Sequence, residues 1–348
     1  MYFKNKKILI IGGTGTIGQM LVNRLMSEQP EVIRVFSRDE HKQYEMQQKW
    51  MSNKNIRFLI GDVRDYERLK RAMQDIHYVF HVAAMKHVPA CEYNPFEAVQ
   101  TNVIGTQNVI QAAMECGVER VLFTSSDKAI APTNTYGASK LMAERLISAA
   151  QYYGGGSKTI FSAVRFGNVL GSRGSVIPLF QEQILHHREI TITEKDMSRF
   201  MMTSRQAVDL TLEALKYAKG GEVFVLKMPV IRLMDLVDCV IEEMAKRLNI
   251  NVHDIRIKEM GLRPGEKRFE ELMTEDEAFD AQELPNMYII PNAFVRGNTD
   301  RYVGASKITS NHYNSKYSKP INKERVRELL KETISFETQF NYYQNVIY

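Results

Sequence analysis

In the first half of the chain, short β-branched runs return at regular intervals, at residues 7–11, 32–36, 56–60, 78–82 and 120–124. The stretches between them, at residues 17–27, 66–74 and 96–116, carry apolar residues at helical spacing. Strands alternating with helices predict right-handed βαβ units and a parallel sheet covered on both faces. A further helix is expected over residues 135–152, a break at Gly154-Gly155-Gly156, and a sixth strand over 159–166.

After Gly167 the regularity is lost. Gly171, Gly174 and Pro178 mark loops, and residues 176–186 read as a helix. A strand returns at 222–226, followed by helices at 233–248 and 323–333. There is no internal repeat and no low-complexity tract. The pattern predicts a nucleotide-binding domain over residues 1–166 with later segments interleaved around 200–230. Residues 167–348 then form mainly a smaller α/β lobe for substrate.

Composition narrows the class. Hydrophobic residues are 44% and charged residues 25% of the 348, the balance of a water-soluble globular protein. The net charge of +5 is spread along the chain, which suits an anionic small molecule better than nucleic acid. The apolar run Ile8–Ile11 is too short for a signal peptide, and no stretch reaches the length of a membrane span. Three widely spaced cysteines (Cys91, Cys116, Cys239) argue against disulfides and for a reducing cytoplasm. The histidines have no zinc spacing, so no metal is expected.

Between the first strand and the first helix lies Gly12-Gly13-Thr14-Gly15-Thr16-Ile17-Gly18. Small residues there let backbone approach a pyrophosphate seated at the helix N-terminus, the arrangement of a Rossmann-like, doubly wound α/β fold. The second strand ends in Phe36-Ser37-Arg38-Asp39, with Lys42 nearby. Ser37 and Arg38 suit a 2′-phosphate, which favours NADP, although Asp39 leaves room for NAD. Asp62-Val63 and Ala83-Ala84, after the third and fourth strands, fall where adenine and ribose would cross the strand ends.

The fifth strand runs into Ser125-Ser126-Asp127-Lys128, and Tyr136 and Lys140 follow four apart, on one helix face. An ordinary tyrosine titrates near ~10, so it needs a neighbouring ammonium, and the cationic nicotinamide, to act as a base at neutrality. Lys140 supplies that charge and can anchor the nicotinamide ribose. A simple dehydrogenase needs only a hydroxyl, the tyrosine and this lysine. Asp127 and Lys128 add an acid and a base.

Longer motifs carry a resemblance. They are Gly61-Asp62-Val63-Arg64-Asp65, Lys86-His87-Val88-Pro89 with Glu92-Tyr93-Asn94-Pro95, and Asp127-Lys128. With them go Val164-Arg165-Phe166-Gly167-Asn168-Val169-Leu170-Gly171-Ser172-Arg173-Gly174-Ser175, Met197-Ser198-Arg199-Phe200 and Arg263-Pro264-Gly265-Glu266-Lys267. From about Lys6 to about Glu332 the chain resembles the extended short-chain dehydrogenase/reductase superfamily, and within it the inverting UDP-N-acetylglucosamine 4,6-dehydratases of bacterial glycan biosynthesis. Ser126 stands where relatives often have threonine.

The resemblance implies a UDP-sugar whose C4 hydroxyl meets Tyr136, with Ser126 bonding that hydroxyl or Tyr136. Asp127, kept protonated, would release the C6 hydroxyl, and neutral Lys128 would take the C5 proton. Lys86, Asn168 and Arg263 resemble substrate positions, with Arg263 matched to pyrophosphate oxygens. Arg173 and Arg199 are further substrate candidates or structural ion-pair partners, Tyr313 is one in the divergent tail, and Val169 is placed at the cofactor. The expected product is a 6-deoxy-4-keto sugar nucleotide with C5 inverted, for a surface glycan. A UDP-sugar 4-epimerase is the alternative, and a silent NADP-sensing protein a third reading. The helices at 96–116 and 135–152 resemble those that pair across a two-fold axis in the superfamily. Val99, Val103, Leu141 and Ile147 are expected on that face, giving a dimer or larger homo-oligomer.

Overall fold

The computed structural model describes residues 1–292, 294, 302–308 and 313–333. The six expected strands are present: β1 (Lys7–Ile11), β2 (Val32–Ser37), β3 (Ile56–Ile60), β4 (Tyr78–His81), β5 (Arg120–Thr124) and β6 (Ile160–Arg165). They pair in parallel in the order β3-β2-β1-β4-β5-β6, so the direction of winding reverses between β1 and β4. This is the order of a doubly wound Rossmann-like sheet, whose ligands sit beyond the strand carboxyl ends at that switch point. The central strands β1, β4 and β5 read as mainly apolar runs because they are buried on both faces: Ile8, Leu9, Ile10, Val79, Phe80, Val121 and Leu122 are fully enclosed. Each such side chain contributes about 1.5–3 kcal/mol by leaving water.

Val223–Leu226 adds a parallel strand beside β6, and Met287–Ile290 pairs antiparallel on its far side. The first compact unit therefore comprises Met1–Phe166, Ala207–Lys227 and Glu271–Asn314. The reading that placed residues 167–348 mainly in the second lobe needs correction for 271–314. That stretch is recruited back because Met287–Ile290 pairs with Val223–Leu226, and Gln282–Glu283 and Ser306–Lys307 extend the sheet beyond it.

The second unit comprises Gly167–Gln206, Met228–Glu270 and Ser315–Tyr348, of which the last part lies outside the described residues. Helices Val176–His187, Leu233–Leu248 and Lys323–Thr333 pack their apolar faces on one core with Ile190, Ile192 and Met201. Its short strands Asn168–Val169, Ser198–Met202 and Val230–Arg232 form a three-stranded sheet.

The single helix expected over 96–116 is broken. Pro95–Ala98 leads into a π-helical turn, Val99–Ile104, before α-helix resumes at Gly105–Glu115. Helix Thr135–Tyr153 matches its expectation, but Ile147 is fully buried and so belongs to this unit's own core; Val99 keeps 38% of its surface exposed.

Candidate active site

Backbone packs on backbone where the glycine turn meets the switch point. Gly12 has φ +85°, and a Cβ there would lie 2.7 Å from the Ala83 nitrogen just beyond β4. A Cβ on Gly18 would lie 2.5 Å from the Cα of Gly13, so strand, turn and helix close up only without side chains. Gly15 caps helix Thr16–Met26, whose positive N-terminus suits an anion. These features fit a dinucleotide pyrophosphate.

At the neighbouring strand ends, the Thr14 and Ser37 hydroxyls are 2.8 Å apart and buried. Asp39 is consumed as a helix cap: it accepts from the Lys42 amide at 3.0 Å and holds the Lys42 ammonium. Arg38 by contrast is 62% exposed, with Asp62 3.8 Å away. Burial pushes the Asp62 carboxyl up, but hydrogen bonds and charge from Arg64 outweigh it and leave it below its ordinary value. The guanidinium of Arg38 suits a 2′-phosphate. Replacing Arg38 with Asp should weaken NADP relative to NAD by on the order of tenfold or more, since a charge-assisted bond is replaced by repulsion. Fluorescence titration of the two dinucleotides would check this; unchanged selectivity would refute it.

The acid–base cluster is assembled by two local devices. Asn134 caps helix Thr135–Tyr153, accepting from the Gly137 amide at 2.8 Å. A Cβ at residue 137 would stand 2.1 Å from the Lys128 carbonyl oxygen, so glycine here lets the turn Asp127–Ala129 lie against the Tyr136 helix. Ser126, whose side chain accepts from the Lys128 amide, also donates to Asp127 Oδ1 at 2.8 Å. Lys128 Nζ donates to the same oxygen at 3.0 Å. Asp127 is fully buried, and its second oxygen, Oδ2, has no hydrogen-bond partner among the described residues. Burial holds the Tyr136 phenol above its ordinary value, against the Lys128 charge and the Ser126 hydrogen bond, which pull it down.

Lys140 is buried at the end of β5, donating to the Thr124 carbonyl at 2.5 Å with its ammonium 4.0 Å over the Phe123 ring. Burial pushes it down to about 7, with Glu144 opposing. Unfolded, the amine titrates near ~10.4. The unfolded chain thus holds a proton that the folded one releases between these values, and stability rises with pH across that window. Urea unfolding from pH 6.5 to 9.5 should show Lys140→Met most favourable relative to wild type at the acid end, with the advantage shrinking as pH rises. A constant difference would contradict this.

Sequence reasoning missed Asn102. The π-helical turn aims its buried side chain to accept from the Met85 amide at 2.8 Å and donate to the Met85 carbonyl at 3.0 Å and to Ser139 Oγ at 2.9 Å. It ties the segment carrying exposed Lys86 to the Tyr136 helix. His81, fully buried and pushed down to about 3 by burial, bonds Thr106 at 3.0 Å. An asparagine inside a helical pattern was the available signal for this network.

The remaining candidates are distributed. Asn168 and Val169 form a short strand of the second unit, and exposed Arg173 sits in a loop flanked by the positive-φ glycines Gly171 and Gly174. Arg263 is exposed, its amide donating to Glu266 at 3.3 Å. Arg199 is buried and committed to its own unit: it donates to the carbonyls of Ser198 at 2.9 Å, Arg268 at 2.8 Å and Lys267 at 2.6 Å. Glu266 and Glu270 lie 3.7 and 3.8 Å from it. Of its two expected roles, the structural one is observed. Tyr313 belongs to the first unit, pairing Tyr313–Asn314 with Glu271–Met273 and meeting Tyr288 edge-on at 5.2 Å.

Residues 8–292 match the family model described as polysaccharide biosynthesis protein. The chain belongs to this family of extended short-chain dehydrogenases/reductases. It is 50% identical over 331 residues to an uncharacterized membrane protein of Methanocaldococcus jannaschii, covering 95% of this chain and 97% of that one. No helix among the described residues is long and apolar enough to cross a membrane. It is 41% identical over 336 residues to a UDP-glucose 4-epimerase of Rickettsia bellii, covering 94% and 96%. Among solved structures, Pen from Bacillus thuringiensis superposes with TM-score 0.90 at 54% identity, covering 96% of this chain and 99% of that chain. A dTDP-glucose 4,6-dehydratase of Streptomyces venezuelae shares the fold at TM-score 0.65 and 21% identity, covering 75% and 86%.

Proposed function

We propose that this enzyme of the nucleotide-sugar dehydratase and epimerase group is an NADP-dependent UDP-N-acetylglucosamine 4,6-dehydratase that inverts C5. The observation that carries the reading is the Asp127–Lys128 pair beside Ser126 and Tyr136, with Asp127 Oδ2 buried and without a hydrogen-bond partner among the described residues. The glycine turn, Ser37 and Arg38 would hold the dinucleotide. When bound, it supplies a reversible hydride acceptor, so no redox equivalent is consumed.

Tyr136 takes the C4 hydroxyl proton, assisted by the Lys140 charge. Lys128 and Asp127 share one proton along a 3.0 Å hydrogen bond. Moving it from Nζ to the carboxylate turns an ion pair into a neutral amine and a neutral acid, the two species that C5 deprotonation and loss of the C6 hydroxyl require. Lys86, Asn168, Arg173 and Arg263 are the substrate contacts in this reading, with Tyr313 a weaker one. Assembly as at least a dimer goes with it.

The epimerase names of the Rickettsia relatives favour a second reading, a UDP-sugar 4-epimerase. Such an enzyme returns hydride to C4 and has no use for an acid at C6. Incubation with UDP-N-acetylglucosamine in deuterated water, followed by NMR, separates the two. A C6 methyl, a C4 ketone and deuterium at an inverted C5 are expected; an intact C6 alcohol with C4 inverted would establish the epimerase.

A further inference from the structure

One turn beyond Lys140 on the same helix, Glu144 is 1% exposed. A carboxylate there is costly without a partner. Its partner is Arg165 on β6, fully buried, which donates to Glu144 from Nη2 at 2.6 Å and from Nε at 3.2 Å. Arg165 also donates to Glu277 at 2.9 and 3.0 Å and to the Leu272 carbonyl at 2.8 Å. Burial pushes the Glu277 carboxyl up, but Arg165 outweighs this and keeps it below its ordinary value, so it stays ionised. Two carboxylates against one buried guanidinium leave a negative excess in the interior, with exposed Arg145 acting on Glu277 from outside. At four-residue helical spacing, the Lys140 ammonium is the buried cation placed to balance it.

We propose that Glu144 is a positioning residue whose buried carboxylate keeps Lys140 cationic beside Tyr136, with Arg165 and Glu277 fixing that carboxylate. The inference rests on the reading of Tyr136 and Lys140 as the catalytic pair. It explains a conflict within the site. Lys140 must be charged to stabilise a phenolate, yet burial drives it toward neutrality. Of the titratable groups around this end of the helix, His81 on β4 is neutral and supplies no counter-charge, and Cys91 is the buried residue of the otherwise largely exposed helix Val88–Tyr93, its thiol pushed up by burial. Asp127 on the turn after β5 is already paired with Lys128. Glu144 is left to supply the negative charge.

The test is on the cofactor-free protein, so it does not depend on which reaction is catalysed. With ¹³C-labelled lysine, and the Lys140 resonance assigned through Lys140→Met, the ε-carbon is titrated by NMR. Glu144→Gln, which keeps the shape and an acceptor for Arg165, should lower the Lys140 midpoint by about one unit or more. Glu144→Asp should restore most of it. On whichever UDP-sugar is turned over, the Glu144→Gln pH–rate profile should shift toward acid, its alkaline limb moving down. Should Glu144→Gln fail to fold, Glu277→Gln removes the outer charge of the same network and should move the midpoint in the same direction by less. A midpoint and profile that stay at their wild-type positions in the folded variant would overturn the proposal, however much activity is lost.

Discussion

Tyr136→Phe should lower turnover by about 10²–10⁴-fold, the loss expected when a positioned proton-transfer group is removed, while folding and dinucleotide affinity stay near wild type. The substitution deletes one hydroxyl and leaves the ring. The cap at Asn134, the close approach at Gly137 and the Lys140 bond to Thr124 involve backbone or other side chains and survive it. Steady-state kinetics together with dinucleotide titration measure the separation. A variant within tenfold of wild type would mean that another group takes the C4 proton.

The second large effect divides the reaction. Lys128→Ala should still oxidise C4, seen as bound reduced nicotinamide, yet lose C5 proton exchange with solvent by about 10²-fold or more. Asp127→Asn should exchange C5 but stall at loss of the C6 hydroxyl. The two are separable because Lys128 reaches Asp127 through Oδ1 alone, leaving Oδ2 to face other chemistry. Deuterium incorporation at C5 followed by mass spectrometry, alongside nicotinamide absorbance, reads both steps. Near-normal C5 exchange in Lys128→Ala would assign the base elsewhere and remove the argument for inversion.

Much of the site was legible because its parts are contiguous in the chain. Ser126, Asp127 and Lys128 are consecutive, and Tyr136 and Lys140 share a helix face by spacing alone. Helix and strand periods likewise reveal β1 to β6, since strands enclosed by helices read as short, mainly apolar runs. Less visible was the break in the helix expected at 96–116. Nothing in its apolar spacing distinguishes α from π, whereas in the fold Asn102 gains three hydrogen bonds from the added width.

The sequence by itself therefore determined the doubly wound parallel sheet, the glycine turn at its switch point and the membership of the acid–base cluster. These follow from short-range periodicity, backbone sterics and fixed helical spacing. Only the tertiary structure decided that Arg199 serves its own unit, that Gln282–Glu283 and Met287–Ile290 return to the sheet, and that Arg165 joins Glu144 to Glu277. Each depends on partners more than 20 residues apart, and a charge's partner is chosen by which groups the fold buries together, a matter no local pattern encodes.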